Sequence, residues 1–294
     1  DFNISFNQNE VLDLGDANEF IVSSIGEHNN DYIVRVGESL GSYYGFVFDG
    51  IFSYDDFVEF EGLSQAESEA VMAEFNRNQD VWFTPKEGIP LQIGAARFRP
   101  GMVKLKDVNG DGIVDPDDRT ILGSAQPVHY GSVTNNFSYG PIDLSVFLTW
   151  SYGNEVYNNN LKRGMATAIP FFNKYGMVRD RWTPQNPNTD VWAIWGEGDS
   201  GIGDNLQSYY IEDGSFLRVA NITLGYKFPK ALLRKVNINS ARIYAGIDNL
   251  HVFTNYRGFD PDVSVGFNQL TPGLDWDAYP KMRTYRVGIN IGLK

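Results

Sequence analysis

The stretch TYRVGINIGLK, residues 284–294, alternates without a break: Tyr285, Val287, Ile289, Ile291 and Leu293 are apolar, and Arg286, Gly288, Asn290 and Gly292 between them are polar or bare. Successive side chains of a strand point to opposite faces, so this period of two places the apolar groups on one side of a β-strand. The stretch IDLSVFLTW, residues 142–150, reads the same way, with Ile142, Leu144, Val146, Leu148 and Trp150 on one face. So do Ala241, Ile243, Ala245 and Ile247 against Arg242, Tyr244 and Gly246, and, within residues 216–228, Ile222, Leu224, Tyr226 and Phe228 against Thr223, Gly225 and Lys227. Weaker alternation predicts two more strands, over 130–139 and 2–7.

The connections between these strands are either very short or very long. Gly140-Pro141 joins two strands almost directly, and Pro229 to Arg234 makes another compact turn. The segments 152–215 and 251–282 carry no clean strand pattern, and loops this long are unusual in compact domains unless they serve a function. Alternating tight turns and extended loops are the habit of antiparallel transmembrane β-barrels, and a β-sandwich is the water-soluble alternative. A period of two does not by itself distinguish lipid from core. One helix is predicted inside a loop, where Ser64 and Glu67 form a capping box ahead of Val71 and Phe75.

The chain has 294 residues, with 24 Lys and Arg against 37 Asp and Glu. A phosphate backbone needs a basic face, so nucleic acid is excluded as an expected partner. The chain has no cysteine, which removes disulfides, thiolate metal sites and cysteine nucleophiles, and its three histidines, at 28, 129 and 251, are too scattered for a local zinc motif. No apolar run approaches the length of a transmembrane helix, but a barrel strand needs only about 9–11 alternating residues. Aromatic residues make up 14% of the chain and Gly occurs 30 times, which suits strands and long loops.

Residues 106–119, KDVNGDGIVDPDDR, have the spacing of a calcium loop. With Asp107 as position one, Asn109, Asp111 and Asp115 fall at three, five and nine, Gly112 at the sharp turn, Ile113 as a carbonyl donor and Asp118 at twelve. A solvated acidic turn is the bland alternative, since Asn-Gly-Asp-Gly is strong turn chemistry. Arg99-Pro100-Gly101 ahead of the loop would break an entering helix, so a structural calcium clip is expected and not an EF-hand sensor.

Other patterns resemble chemistry without its context. The run GEGDSGIG, residues 196–203, lacks the strand and helix that a dinucleotide loop needs, and no supported histidine accompanies Ser200 as a nucleophile. No pair of carboxylates is singled out by spacing for glycosidase work. No enzyme is expected. Trp82, Trp182, Trp192, Trp195 and Trp276 fall in loop segments, where indole faces can stack on a ligand or pack loops together; Trp182, beside Arg181 and before Thr-Pro, reads as structural. Trp192, Trp195, Tyr209 and Tyr210 are the candidate substrate-binding residues.

Ordered motifs across the chain resemble the C-terminal part of a SusC/RagA-type TonB-dependent outer-membrane transporter. They are GSYYGFVFDGIF at 41–52, PGMVKLKDVNGDGIVDPDDRTILGSAQP at 100–127, FLRVANITLGYKFPK at 216–230, RIYAGIDNLHVFTNYRGFDPDVS at 242–264 and YPKMRTYRVGINI at 279–291. The resemblance implies the C-terminal segment of a barrel of about 22 strands, with room here for about eight to ten of them. It implies extracellular loops at about 53–129, holding the calcium loop, at 152–215 and at 251–282, and a plug domain and TonB-contacting segment outside this chain. The ending Leu293-Lys294 departs from the aromatic residue on which such barrels usually close. The implied activity is import of a large oligosaccharide or peptide across the outer membrane of a Gram-negative, Bacteroidetes-like bacterium. The implied partners are TonB, membrane lipid, a SusD-like surface lipoprotein acting as a lid, and a second transporter–lid pair in a dimer. A secreted, calcium-stabilised, glycan-binding β-sandwich is the competing reading, and an extracellular glycosidase the third.

Overall fold

The computed structural model describes residues 1–23, 30–77, 83–93, 98–165, 173–194, 205–265 and 269–293. Among them, six strands pair in chain order as one antiparallel sheet, the wall. These are β1 (Phe2–Phe6), β2 (His129–Tyr139), β3 (Ile142–Tyr152), β4 (Phe216–Lys227), β5 (Ile238–Thr254) and β6 (Thr284–Leu293). All six lie where alternation predicts a strand, and the wall is an antiparallel portion of an all-β barrel. The expected eight to ten strands reduce to six, because residues 7–128 leave the sheet between β1 and β2.

The register carries the apolar row straight across the wall. Phe137 faces Leu144, Leu144 faces Leu224, Leu224 faces Ala245 and Ala245 faces Val287; one step further along, Tyr226, Ile243 and Ile289 continue the same face. This face is open: Val287 is 80% exposed, Phe137 60% and Ile289 57%. A sandwich would have packed it against a second sheet, so the sandwich reading is set aside. A lipid face needs this continuity over several strands, because one charge within it would have to be desolvated.

The opposite face is polar and cross-linked. Arg242 on β5 reaches over β4 to Asp143 on β3, donating from Nε to Oδ1 at 3.0 Å. Gly225 is the register partner of Asp143, whereas Arg242 pairs with Lys227 and crosses diagonally, so a Cβ at Gly225 would collide with the Arg242 guanidinium. Further along, Asp248 accepts from Asn221 at 2.6 Å and from Arg286 at 2.7 Å. These pairs hold three adjacent strands through side chains as well as through the ladder.

Both short connections, 140–141 and 228–237, lie at one end of the wall. The second contains the short helix Lys230–Leu233. The three excursions 7–128, 153–215 and 255–283 all leave from the other end. They are not bare loops. Residues Glu19–Val22, Tyr32–Arg35, Ser42–Gly45 and Thr120–Ser124 form a four-stranded sheet, and Glu155–Asn158 pairs antiparallel with Ile211–Asp213 and parallel with Leu274–Asp275. The segments read as strandless thus contain strands of two to four residues, too short to show a period.

Together the excursions build a cap with its own cores. Tyr32, Tyr43, Tyr157, Leu161, Leu206, Tyr210 and Leu274, drawn from all three, pack as one buried cluster. The predicted helix, α1 (Gln65–Arg77), has its capping box: Ser64 Oγ donates to Glu67 Oε2 at 2.6 Å, and the Glu67 N–H donates back to Ser64 Oγ at 3.4 Å. It buries Met72 and Phe75 in a second cluster with Phe52, Phe57, Phe60 and Phe83. Trp182 is buried in that cluster, as its sequence context predicts.

Candidate functional site: the cap and the rim of the wall

The acidic loop folds around its last residue. Asp118 is fully buried, and its Oδ1 accepts the N–H groups of Val108 at 2.7 Å and Asn109 at 3.2 Å while Oδ2 accepts that of Asp115 at 2.9 Å. Asp107 accepts from Gly110 at 2.6 Å and Gly112 at 2.8 Å, and these N–H donors, Gly112 foremost, hold its carboxyl below the usual carboxylate range. Asn109 and Asp111 accept from the N–H groups two residues on, and Asp115 accepts from Asp117. Gly110 and Gly112 take φ of +78° and +88°, which the winding of the loop requires. A short parallel pair, Leu91–Gln92 with Ile113–Val114, moors the loop to the cap, and the buried Gln92 amide donates to the Val103 carbonyl and accepts from the Leu105 N–H.

A hard cation fits this donor set in part. After these hydrogen bonds Asp107, Asn109, Asp111 and Asp115 keep unused oxygen lone pairs, whereas Asp118, which accepts three N–H groups, has the fewest left. Among the described residues no three His, Cys, Asp or Glu side chains converge on one point as a ready metal-holding group.

The aromatic candidates come together, with one exception. Trp192 lies edge-on to Tyr209 at 5.2 Å between ring centroids and to Tyr210 at 6.2 Å, and Phe48 closes on Tyr209 at 5.0 Å. Arg257 stacks over Tyr209 at 5.2 Å. Tyr210 is buried in the first core, so within this group Trp192 and Tyr209 have the accessible rings. Trp195 lies outside the described residues, as do Trp82, His28 and the whole glycine-rich run 196–203.

Three features escaped the sequence reading. Arg218 on β4 is buried on the polar face, donating to both oxygens of Asp260 and to Asn249 Oδ1 at 2.7 Å. Asn249 sits where β5 bulges, at φ +53°. A lone arginine within the otherwise uncharged run FLRVANITLGY was the available signal.

The second feature is a buried polar knot in the cap. The Tyr256 hydroxyl donates to Asp275 Oδ2 at 2.6 Å and Asn160 Nδ2 donates to Oδ1 at 3.0 Å. Burial pushes the Asp275 carboxyl up, against these donors, and burial beside Asp275 pushes the Tyr256 hydroxyl up as well. The third is a pair of cavities. One of about 740 Å³ opens beside Arg163, Tyr175, Phe259 and Tyr279, and one of about 480 Å³ lies where the polar face of the wall meets the cap.

No family model matches the chain. It is 33% identical over 195 residues to TonB-dependent receptor P26 of Formosa agariphila, covering 65% of this chain and 19% of that protein. Against TonB-dependent receptor P39 of the same organism it is 28% identical over 305 residues, covering 99% of this chain and 28% of the relative. Against TonB-dependent receptor SusC of Bacteroides thetaiotaomicron it is 30% identical over 188 residues, covering 63% of this chain and 17% of the relative. The chain therefore spans less than a third of the length of these curated relatives. The solved structure of the RagAB peptide transporter superposes with a TM-score of 0.65 at 21% identity, over 99% of this chain and 26% of that one, a likeness of fold. The alternating wall, the cap at one end of it and these relatives together place the chain among the TonB-dependent receptors of the SusC/RagA type, of which it is a stretch of barrel wall with its overlying cap.

Proposed function

We propose that the protein takes part in TonB-dependent import of a large nutrient, an oligosaccharide or a peptide, across an outer membrane. The observation that carries this reading is the two-faced wall. Its apolar face continues over successive strands and is open, its other face is polar and ion-paired, and the folded mass stands at one end only. Such a wall suits lipid on one side and an aqueous passage on the other.

In this reading the cap lies on the extracellular side and a SusD-like surface lipoprotein closes over it as a lid. Trp192 and Tyr209 offer ring faces to substrate, with Tyr210 supporting them from the core and Trp195 nearby in sequence. The loop 107–118 holds one calcium ion, through Asp107, Asn109, Asp111, Asp115 and the Ile113 carbonyl, with Asp118 closing the loop behind them. Calcium there would offset the mutual repulsion of four carboxylates and brace the cap.

The experiment is uptake of labelled oligosaccharide or peptide by cells carrying the full receptor, with and without TonB. Uptake that needs both is the expected result. Uptake indifferent to TonB, or to loss of the receptor, overturns the reading.

A further inference from the structure

The cavity of about 480 Å³ is lined from the wall by Tyr130, Thr149 and Phe216 and from the cap by Asn154, Glu155 and Asp262. The wall residues stand on its polar face, since Tyr130 pairs with Ser151, Ser151 with Phe216 and Thr149 with Arg218. A molecule passing from the cap into the passage along the wall would meet this cavity.

Its charges do not balance. Asp262 has a cation, Lys281, and lies 3.8 Å from Arg218. Glu155 has none: its Oε2 accepts the Ser124 N–H at 2.7 Å, and no donor to Oε1 exists among the described residues. Directly across the ladder from it, on the same face, stands Asp213, whose Oδ1 accepts the Ser215 N–H and which also lacks a cationic partner among the described residues. Like charges placed opposite one another on paired strands are destabilising. Burial first, and Asp213 next in raising it, push the Glu155 carboxyl up, a sign that its charge is held at a cost.

Local packing keeps the carboxylate there. Glu155 lies against Gly123, where any Cβ would overlap its carboxyl group, so the glycine leaves the space that the side chain fills. The remaining lining offers aromatic surface to a cation with a short apolar body: Tyr130 is 47% exposed, and Phe216, whose ring has Arg218 over it at 5.2 Å, also lines the cavity. The Asn154 side chain is already spent, accepting from Ser151 Oγ at 2.7 Å and donating to the Gly214 carbonyl at 3.3 Å. Of the two carboxylates opposed on the ladder, Glu155 lines this cavity, while Asp213 stands behind it, outside the lining.

We propose that this rim cavity receives a primary ammonium group of the imported substrate, with Glu155 as its principal acceptor, Asp213 as the second negative charge and Tyr130 as the ring beside it. The inference rests on the import reading and narrows it to substrates that carry a free amine, whether a peptide amino terminus or an amino sugar.

The test is calorimetric titration of the detergent-solubilised full receptor with tetraglycine, with acetyl-tetraglycine and with glucosamine. Tetraglycine or glucosamine should bind, the former identifying a peptide amine and the latter an amino sugar. Acetylation should weaken tetraglycine binding at least tenfold if the peptide amine is the ligand. Glu155→Gln, which keeps an acceptor for the Ser124 N–H, should cause a similar loss, as should Asp213→Asn to a smaller degree, while Glu87→Gln on the exposed surface of the cap should bind as the parent does. Equal binding of tetraglycine and its acetylated form with no binding of glucosamine, no binding of any of the three probes, or unchanged amine affinity in Glu155→Gln overturns the proposal. The two readings fail separately: TonB-dependent uptake that survives with no preference for amines leaves import standing and removes the ammonium site, whereas TonB-independent uptake removes import first.

Discussion

Arg218 and Asp260 meet end to end over the rim of the wall, Nη2 to Oδ1 at 2.5 Å and Nη1 to Oδ2 at 3.2 Å, with each side chain only 6% exposed. One belongs to β4 and the other to the excursion 255–283, so the pair fastens the cap to the barrel. Asn249, at the bulge in β5, completes the clamp by accepting from Arg218 and donating to the Lys281 carbonyl at 2.7 Å. Two hydrogen bonds in parallel give the pair orientation as well as attraction.

Removing one partner strands the other charge where water does not reach it. Arg218→Met should destabilise the cap by about 3–5 kcal/mol, read as a lower unfolding temperature and faster proteolysis within 255–283. The double variant Arg218→Met, Asp260→Leu should recover much of that loss. Equal losses in the single and double variants would show that the buried charge is not what matters.

Lys at Ile289 should cost about 2–4 kcal/mol near the bilayer midplane, and Lys at its neighbour Asn290 should cost far less. Ile289 is on the open apolar face and Asn290 on the face of Arg242. Assembly yield in the membrane reports the difference, and comparable defects at the two positions would contradict the assignment of faces.

The direction of the wall is open to labelling, because the chain has no cysteine. With the proposed lid lipoprotein removed, Asp117→Cys should react with an impermeant reagent on intact cells and Lys230→Cys should not. The first sits in the cap and the second in a connection at the opposite end of the wall. The reverse pattern would invert the topology.

Metal analysis of the purified receptor should find one calcium per chain at the loop 107–118, lost in Asp111→Ala. The exposed Asp111 side chain contributes nothing to the buried clusters, so its loss should leave the wall intact while chelator no longer lowers the unfolding temperature of the cap. A receptor free of calcium, with chelator-insensitive unfolding, would leave Asp118 and its backbone donors as the whole of the loop's closure.

The elements whose information is local are legible along the chain. A period of two marked the strands of the wall and their apolar face. The capping box at Ser64 and Glu67 marked α1, and the spacing from Asp107 to Asp118 marked a wound acidic loop. What lies against what is a property of the folded chain. The apolar face alternates alike for lipid and for a protein core, and it took the open surfaces of Phe137 and Val287 to separate them. Strands such as Glu155–Asn158 and Leu274–Asp275 are too short to carry a period, so the cap read as loop. Arg218 and Asp260 are 42 residues apart, and Arg242 and Asp143 are 99 apart. No local pattern links such partners, because their pairing depends on strand order, register and a bulge. Glu155 opposite Asp213 is of the same kind: each is an ordinary acidic residue in the sequence, and only the ladder that sets them face to face makes them a site.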